Sequence, residues 1–322
     1  MPADIAIRRA EASARRGAIG DHLFYGLTLL FAVLVLVILG GVAMTLLTGA
    51  WPALQHFGFG FLFADVWNPV KERFGALAPI YGTLVTSAIA MLIGIPVAFG
   101  VALFITELCP RWLKRPLATM IELLAAIPSI IYGIWGLFVL APFVQEHIEP
   151  LLIGTLGAIP GFGRLFAGPP LGIGVLTAGF ILAIMVLPYI SSIMRDVFET
   201  VPPILKESAY ALGATTTEVV WQVVLPYTRI GVIGGILLGL GRALGETMAV
   251  TFVIGNSHHV NASILQPGTT ISAALANEFT EAVGDLYMSS LIELGLILFV
   301  ITFIVLAIAK LMLLRLERQG GR

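Results

Sequence analysis

KESAYALGATTTEVVWQVVLP, residues 206–226, is a polar stretch able to form two capped helices in a chain that is otherwise almost entirely apolar. Just upstream, Pro202 and Pro203 suit the first turn of a helix, where a missing N–H goes unneeded, and Gly213 is placed to end that helix in the left-handed conformation. Thr215 then stands as N-cap with Glu218 three residues on, a capping box that opens a second helix. Val219, Val220, Val223 and Val224 give this helix an apolar face, and Leu225–Pro226 is expected to bend the chain toward the next hydrophobic segment. A polar hairpin held between two apolar runs reads as a docking surface.

The runs on either side decide the class. Of 322 residues, 58% are hydrophobic and 11% charged, too little polar surface to cover a soluble globule of this length. The fold class is therefore all-α integral membrane protein. Six apolar runs are long enough to span a bilayer, at about 23–47, 79–107, 117–143, 172–194, 231–254 and 287–314. Residues 1–22 read as an N-terminal tail, 48–78 as an outer loop, 195–230 as the coupling loop and 315–322 as a C-terminal tail. The first run is too long and too bulky for a cleaved leader and reads as a retained span. Lone Cys109 excludes an internal disulfide and a Cys-rich metal site.

Six spans put both termini on one side, and the cations say which. Arg8, Arg9, Arg15, Arg16, Arg111, Lys114, Arg115, Arg195, Lys206, Arg229, Lys310, Arg315, Arg318 and Arg322 lie at one set of ends, against Lys71, Arg73 and Arg164 at the other. Fourteen against three predicts that both termini and the 206–226 hairpin are cytoplasmic. On the opposite side, 144–171 reads as a loop rich in Gly and Pro, and 255–286 carries His258, His259, Glu278, Glu281 and Asp285. Two adjacent histidines invite a metal, but without a regular spacing to the carboxylates they read as solvated loop residues and no metal site is expected.

Charges inside the spans are costly and point to function. In GLGRALGETMAVTFVIGN (239–256), Arg242 and Glu246 are four apart and expected on one helix face, with Arg242 near the middle of a 231–254 span. Either they neutralise each other, or Arg242 meets an anion in a translocation path, where a guanidinium can grip two oxygens of a tetrahedral oxyanion. Glu246 would then favour an oxyanion that still carries a proton. Glycines 231, 235, 239, 241 and 245 permit close approach of a helix or a solute. Glu107, Glu122 and Glu293 are the other acids in or beside spans, Glu107 reading as interfacial and the other two as partners for a neighbouring helix. Of Pro96, Pro128 and Pro188, Pro128 is the best hinge candidate.

The hairpin resembles the cytoplasmic signature of ABC importer permeases, Glu-Ala-Ala, three residues, Gly, nine residues, Ile-x-Leu-Pro. Glu207, Ala209, Gly213, Leu225 and Pro226 match in register, with Ser208 and Val223 as small departures. From about Trp51 to Ala309 the chain resembles the PstC-type subunit of bacterial phosphate importers, through PIYGTLVTS (79–87), ELLAAIPSIIYGIWGLF (122–138), GLGRALGETMAVTFVIGN and SAALANEF (272–279). The resemblance implies a type I importer permease (MetI-like) fold over 79–314 in the bacterial inner membrane. It also implies a partner permease of PstA type, an ATPase pair of PstB type and a periplasmic phosphate-binding protein of PstS type. Arg242 and Glu246 take the phosphate-passage positions, and Glu207, Ala209, Gly213, Leu225 and Pro226 the ATPase-coupling positions. The chain has no GxxxxGK[ST] loop, so it is expected to be non-catalytic and to bind no cofactor, with ATP and Mg held by the partner ATPase. Lipid is the other expected partner and nucleic acid is not one. The competing readings are a permease for sulfate or molybdate, an ion-coupled secondary carrier using Glu122, Arg242, Glu246 and Glu293, and a membrane scaffold or signalling subunit.

Overall fold

The computed structural model describes residues 2–161 and 163–320, with side chains described over 21–161 and 163–315. Arg8, Arg9, Arg15, Arg16, Arg318 and Arg322, which carry part of the charge count, lie outside the described side chains. The chain divides into two units, Met1–Gly49 and Ala50–Arg322. The first is one stretch of the helix α1 (Pro2–Phe57), which starts well before the expected tail ends and whose apolar residues, such as Phe31 and Leu36, are exposed.

In the second unit, five helices are long and apolar enough to cross a membrane, as is Asp21–Phe57 of α1. They are α2 (Leu77–Leu108), α4 (Ser129–Ala158), α5 (Val175–Glu199), α7 (Thr216–Leu244) and the Asp285–Arg315 part of α10 (Asp285–Gly320). Between them lie α3 (Arg111–Ala125), α6 (Pro203–Ala211), α8 (Met248–Thr251) and α9 (Ile271–Glu278). Helix α5 is the most buried span: Ile181, Leu182, Val186, Ile190, Met194 and Phe198 are fully enclosed, packed among residues of α2 and α7.

Three expectations change. The third span is not 117–143, because α3 is a separate amphipathic helix and the spanning helix α4 runs on to 158 through most of the expected outer loop. Pro128 thus lies between two helices rather than inside a span. The fifth span is not 231–254, since α7 already begins at Thr216 and ends at Leu244. Nor does the chain leave the helix at Leu225–Pro226.

The reason for the last point is a π turn. Four such turns occur among the described residues, at 104–108, 136–140, 144–148 and 220–224, and each ends two residues before a proline: Pro110, Pro142, Pro150 and Pro226. In each the residue just before the proline donates five residues back, as Leu225 does to the Val220 carbonyl. The wider turn relieves the clash between the prolyl ring and the carbonyl four residues earlier, so the helix continues where the sequence signals a stop. In α2 the same turn simply precedes the exit at Cys109–Pro110.

Helix α7 packs on α5 along a glycine ridge. A Cβ at Gly231 would meet Val197, one at Gly235 would meet Ile193, and one at Gly239 would overlap Ile190. Small residues every four let two backbones approach closely, which in hydrocarbon is what drives helices together. Gly239→Leu is expected to overpack this contact and destabilise the fold by about 1–3 kcal/mol, read as a lower thermal unfolding midpoint of the detergent-solubilised protein, while Gly234→Leu, at a glycine with open space around it, leaves the midpoint in place.

Candidate functional site

Helix α7 stops abruptly. Leu244 is its last residue, Gly245, Glu246 and Thr247 form a break, and the four-residue α8 follows. Arg242 is therefore in the last turn of α7 rather than at mid-span, and Glu246 lies past the helix end, so the two do not share a helix face. They form no ion pair; among the described residues Arg242 has no carboxylate partner within 4.0 Å. The guanidinium is exposed and lies over the ring of Tyr189 of α5, 5.8 Å from its centroid. That contact leaves the N–H edges of the guanidinium available, and it contributes about 0.5–1 kcal/mol at an exposed position.

Glu246 has a structural task of its own. Its Oε1 accepts from the Ala249 backbone N–H at 3.4 Å, covering one of the free donors at the start of α8. The break is also tightly packed: Gly133 of α4 lies where a Cβ would stand 3.0 Å from the Met248 carbonyl oxygen and 3.2 Å from the Ala249 Cα. Sequence reasoning missed Tyr189 and Gly133, whose only signals are their places in LPYISS and SIIYG. An interrupted helix with an unpaired guanidinium beside it offers N–H donors of the kind that suit an anionic solute.

The hairpin forms as its sequence dictates. Pro203 opens α6, Gly213 takes φ +88°, and the Ala214 N–H donates to the Ala209 carbonyl at 3.1 Å. Thr215 N–H donates to Glu218 Oε2 at 2.7 Å, and the Glu218 N–H donates back to Thr215 Oγ1 at 3.4 Å, a complete capping box. Glu207 is exposed and Ala209 half-buried against the core. The outer surface is apolar where a soluble end would be polar: Leu212 is 90% exposed and Trp221 63%, beside Ile204 and Tyr210. An exposed apolar patch of this kind marks a protein interface. Lys206 Nζ pairs with Glu107 Oε1 at 2.6 Å and fastens the hairpin to the end of α2.

The other acids separate clearly. Glu122 is paired with Arg195 at 2.9 Å. Glu293 of α10 is buried and has no cation partner among the described residues; its Oε2 has no hydrogen-bond partner, and the residue lines an apolar cleft of about 640 Å³ with Leu54, Phe63, Leu84 and Ile301. The carboxylates and Arg242 thus do not assemble into one relay.

At the end of the helices opposite the hairpin, His258 is not a solvated loop residue. Its Nε2 lies 2.6 Å from Glu278 Oε1, and its ring stacks on Trp67 with centroids 5.1 Å apart. The Trp67 indole N–H and the Tyr287 hydroxyl both donate to Glu278 Oε2. Burial pushes the Glu278 carboxyl up, and the bonds from His258, Tyr287 and Trp67 outweigh it, holding the group below the usual carboxylate range. No group of three or more His, Cys, Asp or Glu able to hold a metal occurs among the described residues.

The model of the family described as "Binding-protein-dependent transport system inner membrane component" matches residues 94–318, which include the hairpin, the helix break and both flanking spans. The chain belongs to that family, among its PstC-type permeases. A relative from Mesorhizobium japonicum named phosphate transport system permease protein PstC is 63% identical over 97% of this chain and 95% of its own length. A relative of the same name from Pasteurella multocida is 56% identical over 98% of both chains. Among solved structures, a chain of a bacterial alginate ABC transporter bound to its periplasmic protein superposes with a TM-score of 0.58 at 18% identity, covering 89% of this chain and 94% of that one. A chain of the inward-facing MetNI methionine ABC transporter gives 0.52 at 17% identity over 76% and 95%. These two share the fold with this multi-pass family member.

Two predictions follow from the acids. Because the Glu278 pKa is depressed in the folded state, its contribution is present above the ordinary carboxylate pKa of about 4.3 and is lost as pH falls through the lower folded value. Glu278→Leu, which leaves three donors without an acceptor, is expected to destabilise by about 3–5 kcal/mol; the gap in unfolding midpoint between wild type and Glu278→Gln is expected at neutral pH and narrows as pH falls below the ordinary carboxylate range. Conversely, Glu293→Met removes a buried oxygen without a partner and is expected to raise stability by about 1–3 kcal/mol, seen as a higher thermal midpoint.

Proposed function

We propose that the chain is the permease subunit of an ATP-driven importer that carries inorganic phosphate across the bacterial inner membrane. The observation that carries this reading is the exposed guanidinium of Arg242, free of any carboxylate partner among the described residues, at the interruption between α7 and α8. Relatives named as phosphate permeases at 63% and 56% identity support the choice of oxyanion. Arg242 offers paired N–H donors to two phosphate oxygens, and Glu246 accepts the proton that hydrogen phosphate retains and sulfate lacks. Glu246 does this while capping α8, so solute binding and the shape of the break are coupled through one side chain.

Hydrolysis belongs to a partner ATPase of PstB type that holds ATP and Mg, and this chain is non-catalytic and binds no cofactor. The second permease is of PstA type and faces the exposed side of Arg242, so that the path lies between the two permeases. A binding protein of PstS type delivers phosphate at the end of the helices opposite the hairpin. The excess of Lys and Arg at the hairpin end supports a cytoplasmic position for that end and for both termini. Glu207, Ala209 and Gly213 shape the ATPase-docking surface, with Leu212 and Trp221 as its apolar contacts, while Leu225 and Pro226 carry the helix through its π turn. From Thr216 to Arg242 the helix is continuous, about 39 Å at 1.5 Å per residue. Movement of the hairpin is therefore movement of the anion site, with Pro128 as the pivot at which α4 turns against α3.

The test is phosphate uptake at matched membrane levels of the assembled complex. Arg242→Ala is expected to lower uptake by about 10- to 100-fold, the loss of hydrogen bonds to a charged group, with ATPase docking retained. Glu246→Gln keeps the cap on Ala249 and is expected to shift selectivity from phosphate toward sulfate, whereas Glu246→Ala loses both. Unchanged phosphate uptake in Arg242→Ala would remove Arg242 from the path.

A further inference from the structure

Helix α3 joins the hairpin-side ends of two spans, so connectivity alone holds it at the membrane surface. Its sequence, RWLKRPLATMIELLA, divides cleanly at about 100° per residue. Arg111, Lys114, Arg115, Thr119 and Glu122 occupy one arc, and Trp112, Pro116, Met120 and Leu123 the adjoining one. The rest of the apolar face is used by the protein: Leu117 and Ile121 line a cleft with Val97, Val101 and Phe104 of α2. Part of the polar arc is used as well. Lys114 pairs with Glu199 at 3.1 Å, and Glu122, the helix's only acid, is taken by Arg195.

What remains is a cationic edge beside an apolar one. Arg111 and Arg115 are exposed, with no ion pair among the described residues, and they border Trp112 at 77%, Leu123 at 64% and Met120 at 61% exposure. A surface that is cationic along one side and apolar along the next fits the boundary between headgroups and acyl chains, where an indole also lies favourably. Free phosphate would satisfy the arginines but leave Trp112, Met120 and Leu123 in water, so the apolar edge selects a lipid.

We propose that α3 is a docking surface for anionic phospholipid, with Arg111 and Arg115 on the headgroup phosphates and Trp112, Met120 and Leu123 among the acyl chains of the same leaflet. The site adjoins the transport machinery through packing on α2 and α5 and through ion pairs. Lys114–Glu199 and Glu122–Arg195 tie α3 to the end of α5 that leads into the hairpin, and Glu107–Lys206 ties the hairpin back to the end of α2. A lipid-held α3 is thus a fixed base beside the moving hairpin.

The experiment uses the complex assembled with its partner subunits in bilayer nanodiscs that contain either phosphatidylglycerol or phosphatidylcholine with a photoreactive acyl chain. Labelling of segment 111–125 is quantified by mass spectrometry. Phosphatidylglycerol is expected to label the segment far more than phosphatidylcholine. The pair Arg111→Gln and Arg115→Gln is expected to reduce that labelling by about 30-fold, two cations at about 1 kcal/mol each. Arg111→Lys with Arg115→Lys retains it, as does Arg229→Gln, a cation elsewhere on the same side. Equal labelling by both lipids in the wild type overturns the proposal, as does undiminished phosphatidylglycerol labelling in the double Gln variant. A segment that neither lipid labels, with Trp112→Cys cross-linking to a partner subunit, means that protein covers this face and overturns it too. None of these readouts depends on which oxyanion is transported.

Discussion

In hydrocarbon every backbone N–H and C=O must find its partner inside the protein, and this chain's architecture is largely a response to that requirement. Proline is the residue that most threatens it, since the ring removes a donor and crowds the carbonyl four residues before. Within α4 and α7 the response is the same at Pro142, Pro150 and Pro226: the preceding turn widens to five-residue hydrogen bonding, and the helix goes on. Where the helix does stop, at Gly245, a side chain takes over. Glu246 serves the N–H of Ala249, and Gly133 lets α4 close over the same spot.

This has a mechanical consequence for the hairpin. A chain that bent at Leu225–Pro226 would have placed a joint between the docking surface and Arg242. The π turn removes the joint, so the capping box at Thr215 and the guanidinium at Arg242 belong to one rod. The glycine ridge at 231, 235 and 239 then sets that rod against α5, the most enclosed helix in the fold. Ion pairs at the hairpin end range from largely shielded, as in Lys206–Glu107, where side-chain exposure is 19% and 7%, to half-exposed, as in Lys114–Glu199. They are strong enough to align neighbouring helix ends, while the bulk of the cohesion is apolar packing around Ile181, Val186 and Ile190.

The two ends of the helices are built on different chemistry. At the hairpin end, Lys and Arg pair with carboxylates at the tips of helices, Arg195 with both Glu122 and Asp196, and leave arginines over. At the opposite end a single carboxylate, Glu278, gathers an indole, a phenol and an imidazole from segments far apart in sequence, and Trp67, Phe74 and Tyr287 pack around it.

Local chemistry was legible in the residues themselves. The capping box at Thr215–Glu218, the left-handed Gly213, the membrane class and the glycine spacing on α7 all follow from short-range geometry, because each depends on residues within one or two turns of each other. The resemblance to PstC-type permeases was legible for the same reason, through short contiguous motifs. The hydropathy pattern also located four of the six spans to within a few residues at one end or both, but it missed both ends of α7 and could not separate α3 from α4, since the apolar residues at the end of α3 run on into α4 and only the backbone at Pro128 divides them. Whether a proline ends a helix or is bypassed depends on how the turn before it packs, and that was decided in three dimensions at Pro226. The partners of Glu107, Glu122 and His258 lie 99, 73 and 20 residues away, at distances no periodicity encodes. The separation of Arg242 from Glu246 is the clearest case: a spacing of four promises one helix face only while the helix lasts, and the tertiary packing of α4 against the Met248–Ala249 backbone accompanies a helix that ends between them.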